Sequence, residues 1–522
     1  MITQNRMKTV LTLAVVAMVF LALPAVADVV IPGPNDLPDP DGSTGSTDKP
    51  VKVFILAGQS NMVGFGRIAG TEPGTLQTLT GDGMFPHLVD GGGAWTVRND
   101  VRYRGVITAL GNGLLTPGFG ANGSHFGPEL GFGHIMGYCY DEPVIVLKSS
   151  QGNRSISWDY APPSTKRFDY NGTTYGGYGD SPGTWPAGTE KPPAQPGAWY
   201  SGKQWDDCFM DEADWAPLGG NPVENVADVL DNFASQYPQY AAQGFEIAGY
   251  GWWQGHKDQG EPHASRYELN MTNFINDIRT YYEKRYPDNI IYNAPFVLAT
   301  VAFDGGWGNT SAGYLAVANG QLAVSDPAKH PEFAGNVKTI EARGYWRDGS
   351  ISPSTTGYHY NHNAETYMRV GDALGRAMAE IMPAYKVNAG GDMITWSGQQ
   401  VELDATVQDG VSVTSYSWTA IPPDGVVFSN PTGQDTNVTI TKTTDNPSTV
   451  RMRLDVNDGV NDPVSDVIAI DVYDDACKAT RLGLGIEGKY DLNGNCITDM
   501  ADLATAISTW LNDNSLTVPV IK

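Results

Sequence analysis

The hydrophobic period of this chain changes near Pro383, and no single layered architecture accommodates the stretches on either side of that point. Before that point, Val51–Gly58 (VKVFILAG) is a continuous apolar run closed by glycine, and similar runs recur at Pro143–Leu147 and Phe245–Tyr250. Such runs suit parallel strands covered on both faces. Helical patterns follow them at Ala227–Tyr237, Ser265–Tyr286 and Ala364–Met382. The alternation predicts an α/β domain with a parallel sheet over residues 51–385. Beyond it, Val401–Val407, Ser415–Ala420, Asn437–Lys442, Val450–Val456 and Asp466–Val472 alternate polar and apolar between Gly, Pro, Asn and Asp turns. That pattern predicts an all-β sandwich over residues 386–473.

The flanking segments are of other kinds. Arg6 and Lys8 precede an apolar run from Val10 to Leu23 and then Ala25-Val26-Ala27. These are the three parts of a secretory signal peptide, residues 1–27, cut after Ala27. The run is shorter than the roughly 20 residues of a spanning helix, so the mature protein is expected to be soluble, with an uncleaved anchor as the alternative. Residues 28–50, rich in Pro, Gly, Asp, Ser and Thr, read as a linker. With 33 Lys plus Arg against 58 Asp plus Glu, the net charge of −25 excludes a sequence-general nucleic-acid binder. An even set of four cysteines in an export context permits disulfides, and Cys477 with Cys496 is the favoured pair. Free buried thiols are the alternative for the cysteines, which include Cys139 and Cys208.

The chemistry is expected at Gly58-Gln59-Ser60-Asn61-Met62, directly after the first strand. A serine there sits on a turn at the carboxyl edge of the sheet, where its Oγ can be exposed and its own N–H can face an oxyanion. FILAGQSNMVGFG resembles the first block of SGNH hydrolases of the sialate O-acetylesterase and acetylxylan-esterase branch, whose GQSN serine is the nucleophile. His125–Glu129 (HFGPE), the Gly-rich turn within Lys148–Ser155, Trp252–Gly255 (WWQG) and Gly357–Asn363 (GYHYNHN) resemble the family's later blocks, in the same order. The likeness spans roughly residues 51–383 and implies an SGNH-hydrolase-like parallel-sheet sandwich. It also implies His359 as the base, favoured over His362. The expected oxyanion donors are the N–H groups of Ser60 and Gly152, with Asn153 or Gln254 as a third, and Gln59 and Asn61 flank the serine. A serine needs such a base, and each hole donor can contribute roughly 3 kcal/mol.

The family's usual acids are missing. Thr356 stands three residues before His359, and the QGE position reads Gln254-Gly255-His256. Asp258 is the first substitute, Asp348 the second, and a Ser–His dyad oriented by a backbone carbonyl the third. Tyr160–Pro217 carries Tyr170, Tyr175, Tyr178, Trp185, Trp199, Tyr200, Trp205 and Trp215 among many Gly and Pro. These flat faces suit pyranose rings, or else pack inward.

Beyond Asp474 the sequence turns helical, and Asp491, Asn493, Asn495, Asp499 and Asp502 occupy positions 1, 3, 5, 9 and 12 of an EF-hand-type loop, with the Ile497 carbonyl at position 7. The module, residues 474–522, resembles half a dockerin, with Cys496 where the EF-hand has Gly. It implies a structural Ca²⁺ and a cohesin-like or cell-surface partner, or else a helix-capping turn. The sandwich resembles the Ig/PKD-like modules of secreted carbohydrate-active proteins, as spacer or sugar binder. The expectation is a secreted, periplasmic or surface-held carbohydrate O-acetylesterase that needs no catalytic cofactor. A catalytically degenerate carbohydrate binder or a scaffold component is the alternative.

Overall fold

Seven strands form the central sheet of the computed structural model: β1 (Val51–Gly58), β2 (Arg98–Val106), β3 (Gly111–Leu115), β4 (Val144–Ser150), β5 (Phe245–Trp253), β6 (Phe296–Ala299) and β7 (Val337–Ile340). Their order is β7-β6-β5-β1-β4-β2-β3. All neighbours are parallel except β2 and β3. The structure describes residues 30–195, 197–211, 224–441, 448–486, 491, 495–498, 500–502 and 504. The signal-peptide segment lies outside them. Among the described residues no helix is long and apolar enough to cross a membrane.

The apolar runs became strands because both sheet faces are covered: β4 and β5 are buried at every position. The covering helices are α2 (Glu129–Cys139), α3 (Tyr267–Arg285), α4 (Ala312–Ala323) and α5 (Ala364–Ile381). The helix expected at Ala227–Tyr237 is instead two short ones, Val226–Asp231 and Phe233–Gln236. Asn232 stands between them, and its amide donates to the Asp228 carbonyl (2.9 Å), competing with the helical ladder. The α2 and α5 backbones touch: a Cβ on Gly371 would stand 2.2 Å from the Pro128 carbonyl oxygen.

A second core gathers Tyr385, Leu403, Trp418, Val438, Met452, Leu454 and Ile470. It lies between a four-stranded sheet, ordered Met393–Trp396, Val464–Tyr473, Ser448–Asn457, Ser415–Ile421, and a three-stranded sheet of Gln400–Leu403, Thr436–Ile440 and Val426–Phe428. Met393–Trp396 and Val464–Tyr473, the first and last strands of the larger sheet along the chain, pair in parallel. The strand expected over Val401–Val407 is split, since Thr406–Val407 leaves the sheet to pair with Val387–Asn388.

Several contacts close the seam between the two cores. Arg453 Nη1 donates to the Pro331 and Ala334 carbonyls (2.9 Å each), and Asn293 Nδ2 donates to the Ser465 carbonyl (3.1 Å). Glu246 on β5 takes ion pairs from Lys52 (2.6 Å) and Lys386. The Glu283 carboxylate on α3 is buried facing Asp466 of the sandwich.

Residues 30–50 have no regular structure, as a linker would not, yet they lie fastened along the domain. Arg376 donates to the Ile31 and Pro32 carbonyls, Asn35 Oδ1 accepts from Phe85 N (3.0 Å), and Ser46 N donates to the Asp141 carbonyl (2.5 Å). Cys477 and Cys496 form a disulfide, while Cys139 and the buried Cys208 are free thiols.

Candidate active site

The register of three neighbouring strands assembles the site. Gly58, the last residue of β1, pairs with Ser150 of β4 on one side and with Trp253 of β5 on the other. The residues just past these partners, Ser60, Gly152 and Gln254, therefore share one carboxyl edge at the middle of the sheet, where the chain leaves a central strand with neighbours on both sides. Gly58 is required there: at φ 149° its Cβ would stand 2.3 Å from the Trp253 carbonyl oxygen. The Gly58 carbonyl accepts from Gln151 N (3.2 Å) and from the Tyr160 hydroxyl (2.9 Å), which fixes the turn between strand and serine.

Ser60 opens the single-turn helix α1 (Ser60–Val63) and is partly exposed. A Cβ on Gly152 would lie 3.7 Å from Ser60 Cβ, so the backbone of that turn stands beside the serine with room for a small group. Asn153, at φ 57°, is exposed. The other two flanking residues act as braces. Gln59 Oε1 accepts from Gly255 N (3.3 Å) and Lys257 N (3.4 Å). Asn61 Nδ2 donates to the Tyr358 carbonyl (3.1 Å), and its Oδ1 accepts from the Tyr367 hydroxyl (2.9 Å), which also reaches the His359 carbonyl (3.3 Å). The residue after the serine is thus tied to the backbone on either side of the Tyr358–His359 peptide.

The histidine loop is held in an unusual backbone. Tyr360, Asn361 and His362 have φ values of 49°, 53° and 58°, three successive left-handed residues, a region uncommon for any side chain and least suited to the bulky Tyr360. The surroundings hold this strain in place. The Tyr360 hydroxyl accepts from Ala302 N (3.0 Å), its ring stacks on Trp253 at 5.0 Å, and Asn361 Nδ2 donates to the Arg347 carbonyl (2.9 Å). His359 stacks on Phe65, centroids 3.9 Å apart, and His362 stands 5.5 Å from His125. Asn363, not His362, caps α5 through Glu365 N.

No described carboxylate hydrogen-bonds His359 or His362. Asp348 is exposed and accepts from Trp346 Nε1 (3.1 Å). Asp258 is fully buried and accepts from Ile156 N, Ser157 N, Ser157 Oγ and Gln254 Nε2. Burial, then the imidazoles of His362, His256 and His125, hold His359 down to about 4. Burial and then His362 hold His125 down to about 4 as well. His125 Nδ1 meets Asn122 Oδ1 (2.9 Å) and must carry the proton there, so its buried Nε2 is a lone pair with no donor. His256 has two charged neighbours, Asp304, whose carboxylate lies against Gly357, and Lys257. Asp304 and Tyr367 were not singled out from the sequence, while Phe65 and His125 entered only as members of the FILAGQSNMVGFG and HFGPE blocks.

Gln254 does not fit the third-donor role. Its Nε2 gives both hydrogens away, to the Arg154 carbonyl (2.9 Å) and to Asp258 (2.6 Å), and its Oε1 accepts from Tyr267 (2.9 Å). It is a satisfied buried amide. Lys148 on β4 is buried too, and its three hydrogens go to the Val63 carbonyl (2.8 Å), the Phe119 carbonyl (3.0 Å) and Glu129 Oε2 (2.7 Å). It clamps the end of α1 to the HFGPE segment.

Beside this edge lies a cavity of about 200 Å³ lined by Trp158, Phe168, Tyr175, Ser157, Lys257 and His263. The aromatic insertion divides between the two expectations. Tyr175 and Phe168 stack at 5.1 Å along the cavity, whereas Trp185, Tyr200 and Trp205 are buried, and Tyr178 and Tyr200 both donate to Asp206. Trp215 lies outside the described residues.

Of the expected cation ligands, Asn493 and Asp499 lie outside the described residues. Asp491 accepts from Asn495 N (3.0 Å) and Cys496 N (2.8 Å), and Asn495 Oδ1 accepts from Ile497 N (2.8 Å). Cys496, at φ 63°, takes the left-handed conformation for which the EF-hand uses Gly. Asp502 follows in a helical turn. Among the described residues no group of three or more His, Cys, Asp or Glu is placed to hold a metal.

No protein-family model and no curated protein matches this chain. Among solved structures, a carbohydrate acetylesterase from Xanthomonas citri is similar at 12% identity over 79% of this chain and 80% of its own, with TM-score 0.34. NanS is similar at 12% identity over 63% and 98%, with TM-score 0.34. A PKD domain is similar at 25% identity over 17% and 87%, with TM-score 0.15. Likenesses of this size leave the chemistry to be read from the site, a serine, a glycine turn and a histidine loop gathered at one edge of a mainly parallel sheet.

Proposed function

We propose that this chain is a secreted carbohydrate esterase of the SGNH kind that removes O-acetyl groups from sugars. The observation that carries the reading is the shared register of Gly58, Ser150 and Trp253, beyond which Ser60 meets the Gly152 turn while Asn61 grips the His359 loop. Ser60 Oγ attacks the acetyl carbonyl and His359 takes its proton. The N–H groups of Ser60 and Gly152 receive the oxyanion, with Asn153 on the same turn as a third donor. The sugar oxygen leaves with the proton from His359. Water, deprotonated by the same imidazole, then attacks the acetyl-serine and releases acetate. The stack on Phe65 orients the ring in place of a carboxylate, and the mechanism itself uses no cofactor.

Acetate release from O-acetylated polysaccharides and an aryl acetate, compared among the protein, Ser60→Ala, His359→Ala and His362→Ala, tests this. Loss in the first two variants with retention in the third is expected; turnover surviving Ser60→Ala would overturn it. The missing carboxylate favours a second reading, a carbohydrate binder without turnover, which predicts binding of the same glycans and no acetate. Export is tested by the N-terminus of the secreted protein, expected at Asp28. For the module at 474–522 we infer an EF-hand-like, dockerin-like loop. The left-handed Cys496 supports it, and a rise in its melting temperature on adding Ca²⁺ is the test; a cohesin-like partner rests on the same loop.

A further inference from the structure

We propose that Asp258 is a positioning residue that fixes the Gly152–Ser157 turn against Ser60, and not the acid that orients the catalytic histidine. This rests on the esterase reading above. A carboxylate offers about four lone-pair sites. All four of Asp258 are filled: Oδ2 by Ile156 N (3.0 Å) and Gln254 Nε2 (2.6 Å), Oδ1 by Ser157 N (3.2 Å) and Ser157 Oγ (2.7 Å). None is left for an imidazole of the His359 loop. The second hydrogen of Gln254 goes to the Arg154 carbonyl (2.9 Å), so the stretch from Gln254 to Asp258 holds the turn at residues 154, 156 and 157. The grip is itself anchored, because the Gln254 carbonyl accepts from Gln321 Nε2 (2.7 Å).

The turn carries the Gly152 backbone that faces the serine, and Asp258 lies under its far end. A donor displaced by about 1 Å can cost about a hundredfold in rate. A buried acceptor replaced by an amide leaves at least one N–H of the turn facing another N–H, which should displace it. The neighbouring ionisable groups are His263, which lines the aromatic cavity, Asp159, which accepts from Ser155 N (2.8 Å) at the start of the same turn, and Tyr267, beneath Gln254.

The test compares Asp258→Asn and the milder Ser157→Ala with the unmodified full-length protein by two independent measurements. Hydrogen exchange at the amides of Ile156 and Ser157 is expected to be slow in the parent and at least tenfold faster in Asp258→Asn. In the pH–rate profile on an aryl acetate, kcat should fall about a hundredfold in Asp258→Asn and a few-fold in Ser157→Ala. KM and the acid limb should stay in place in both. A triad acid would move the acid limb, because removing it changes the imidazole's basicity, and that result would overturn the proposal. Unchanged exchange at both amides would overturn it as well. A parent protein without esterase activity would sink the esterase reading and leave the exchange measurement to decide whether Asp258 holds the turn.

Discussion

A histidine surrounded by other histidines behaves differently from one paired with a carboxylate. With its imidazole held down to about 4, His359 is neutral, and so able to accept a proton, well below the usual His range near 6.5. A base works in its deprotonated form, so kcat/KM should stay level from pH 7 to 5 and fall near 4; a limb near 6.5 would mean that burial and the neighbouring imidazoles do not hold the ring down. Lys148 offers a second residue-scale prediction. Lys148→Met removes the cation paired with Glu129 in the core, and chemical denaturation should show a loss of about 3–5 kcal/mol. Adding Glu129→Gln should recover part of it, since no buried charge then remains.

At the scale of elements, the close passage of β1 and β5 at Gly58 sets the prediction. Gly58→Ala forces a left-handed alanine into the Trp253 carbonyl, and urea unfolding should report a loss of about 2–5 kcal/mol with much of the protein failing to fold. The same strand shows what the sequence made legible. Continuous apolar runs are written plainly, so β1, β4 and β5, and with β1 the turn of Ser60, could be placed from the residues alone, whereas Gly152 was reached through the family resemblance. Strand β2 could not, because Arg98, Asp100, Arg102 and Arg104 make it look solvated. In the fold Arg98 is buried, paired with Asp100 at 3.0 Å, so its charge is satisfied internally rather than by water. The role of Asp258 was hidden for another reason. Its partners Ile156 and Ser157 lie about a hundred residues away, and nothing in local spacing tells an acid that faces a histidine from one that faces backbone amides.

For the whole molecule the seam between the two cores decides the response to alkali. Burial, and then the facing Asp466 carboxylate, push Glu283 up to about 8, and burial likewise pushes Asp466 up to about 6. A carboxyl whose folded value is raised holds its proton in the fold. Its stabilising contribution is complete below the ordinary carboxylate range and is lost as pH rises through the folded value. Glu283→Gln keeps an acceptor for Asn293 N and carries no charge. Its melting temperature should match the parent at pH 4, exceed it increasingly from there to about pH 8 and by a constant margin above that; equal curves at pH 4 and pH 9 would show that the seam is indifferent to that charge.

Beyond the seam, the sandwich enters through Met393–Trp396 and leaves through Val464–Tyr473, and these two strands run side by side in the same direction. If the α/β domain were held at one surface while the C-terminal module was anchored elsewhere, tension would draw the paired strands past one another along their length. The ladder from Met393–Ile470 to Trp396–Tyr473 would then be loaded in shear, all its rungs at once, rather than peeled open one at a time. Under such a pull the two strands would resist together.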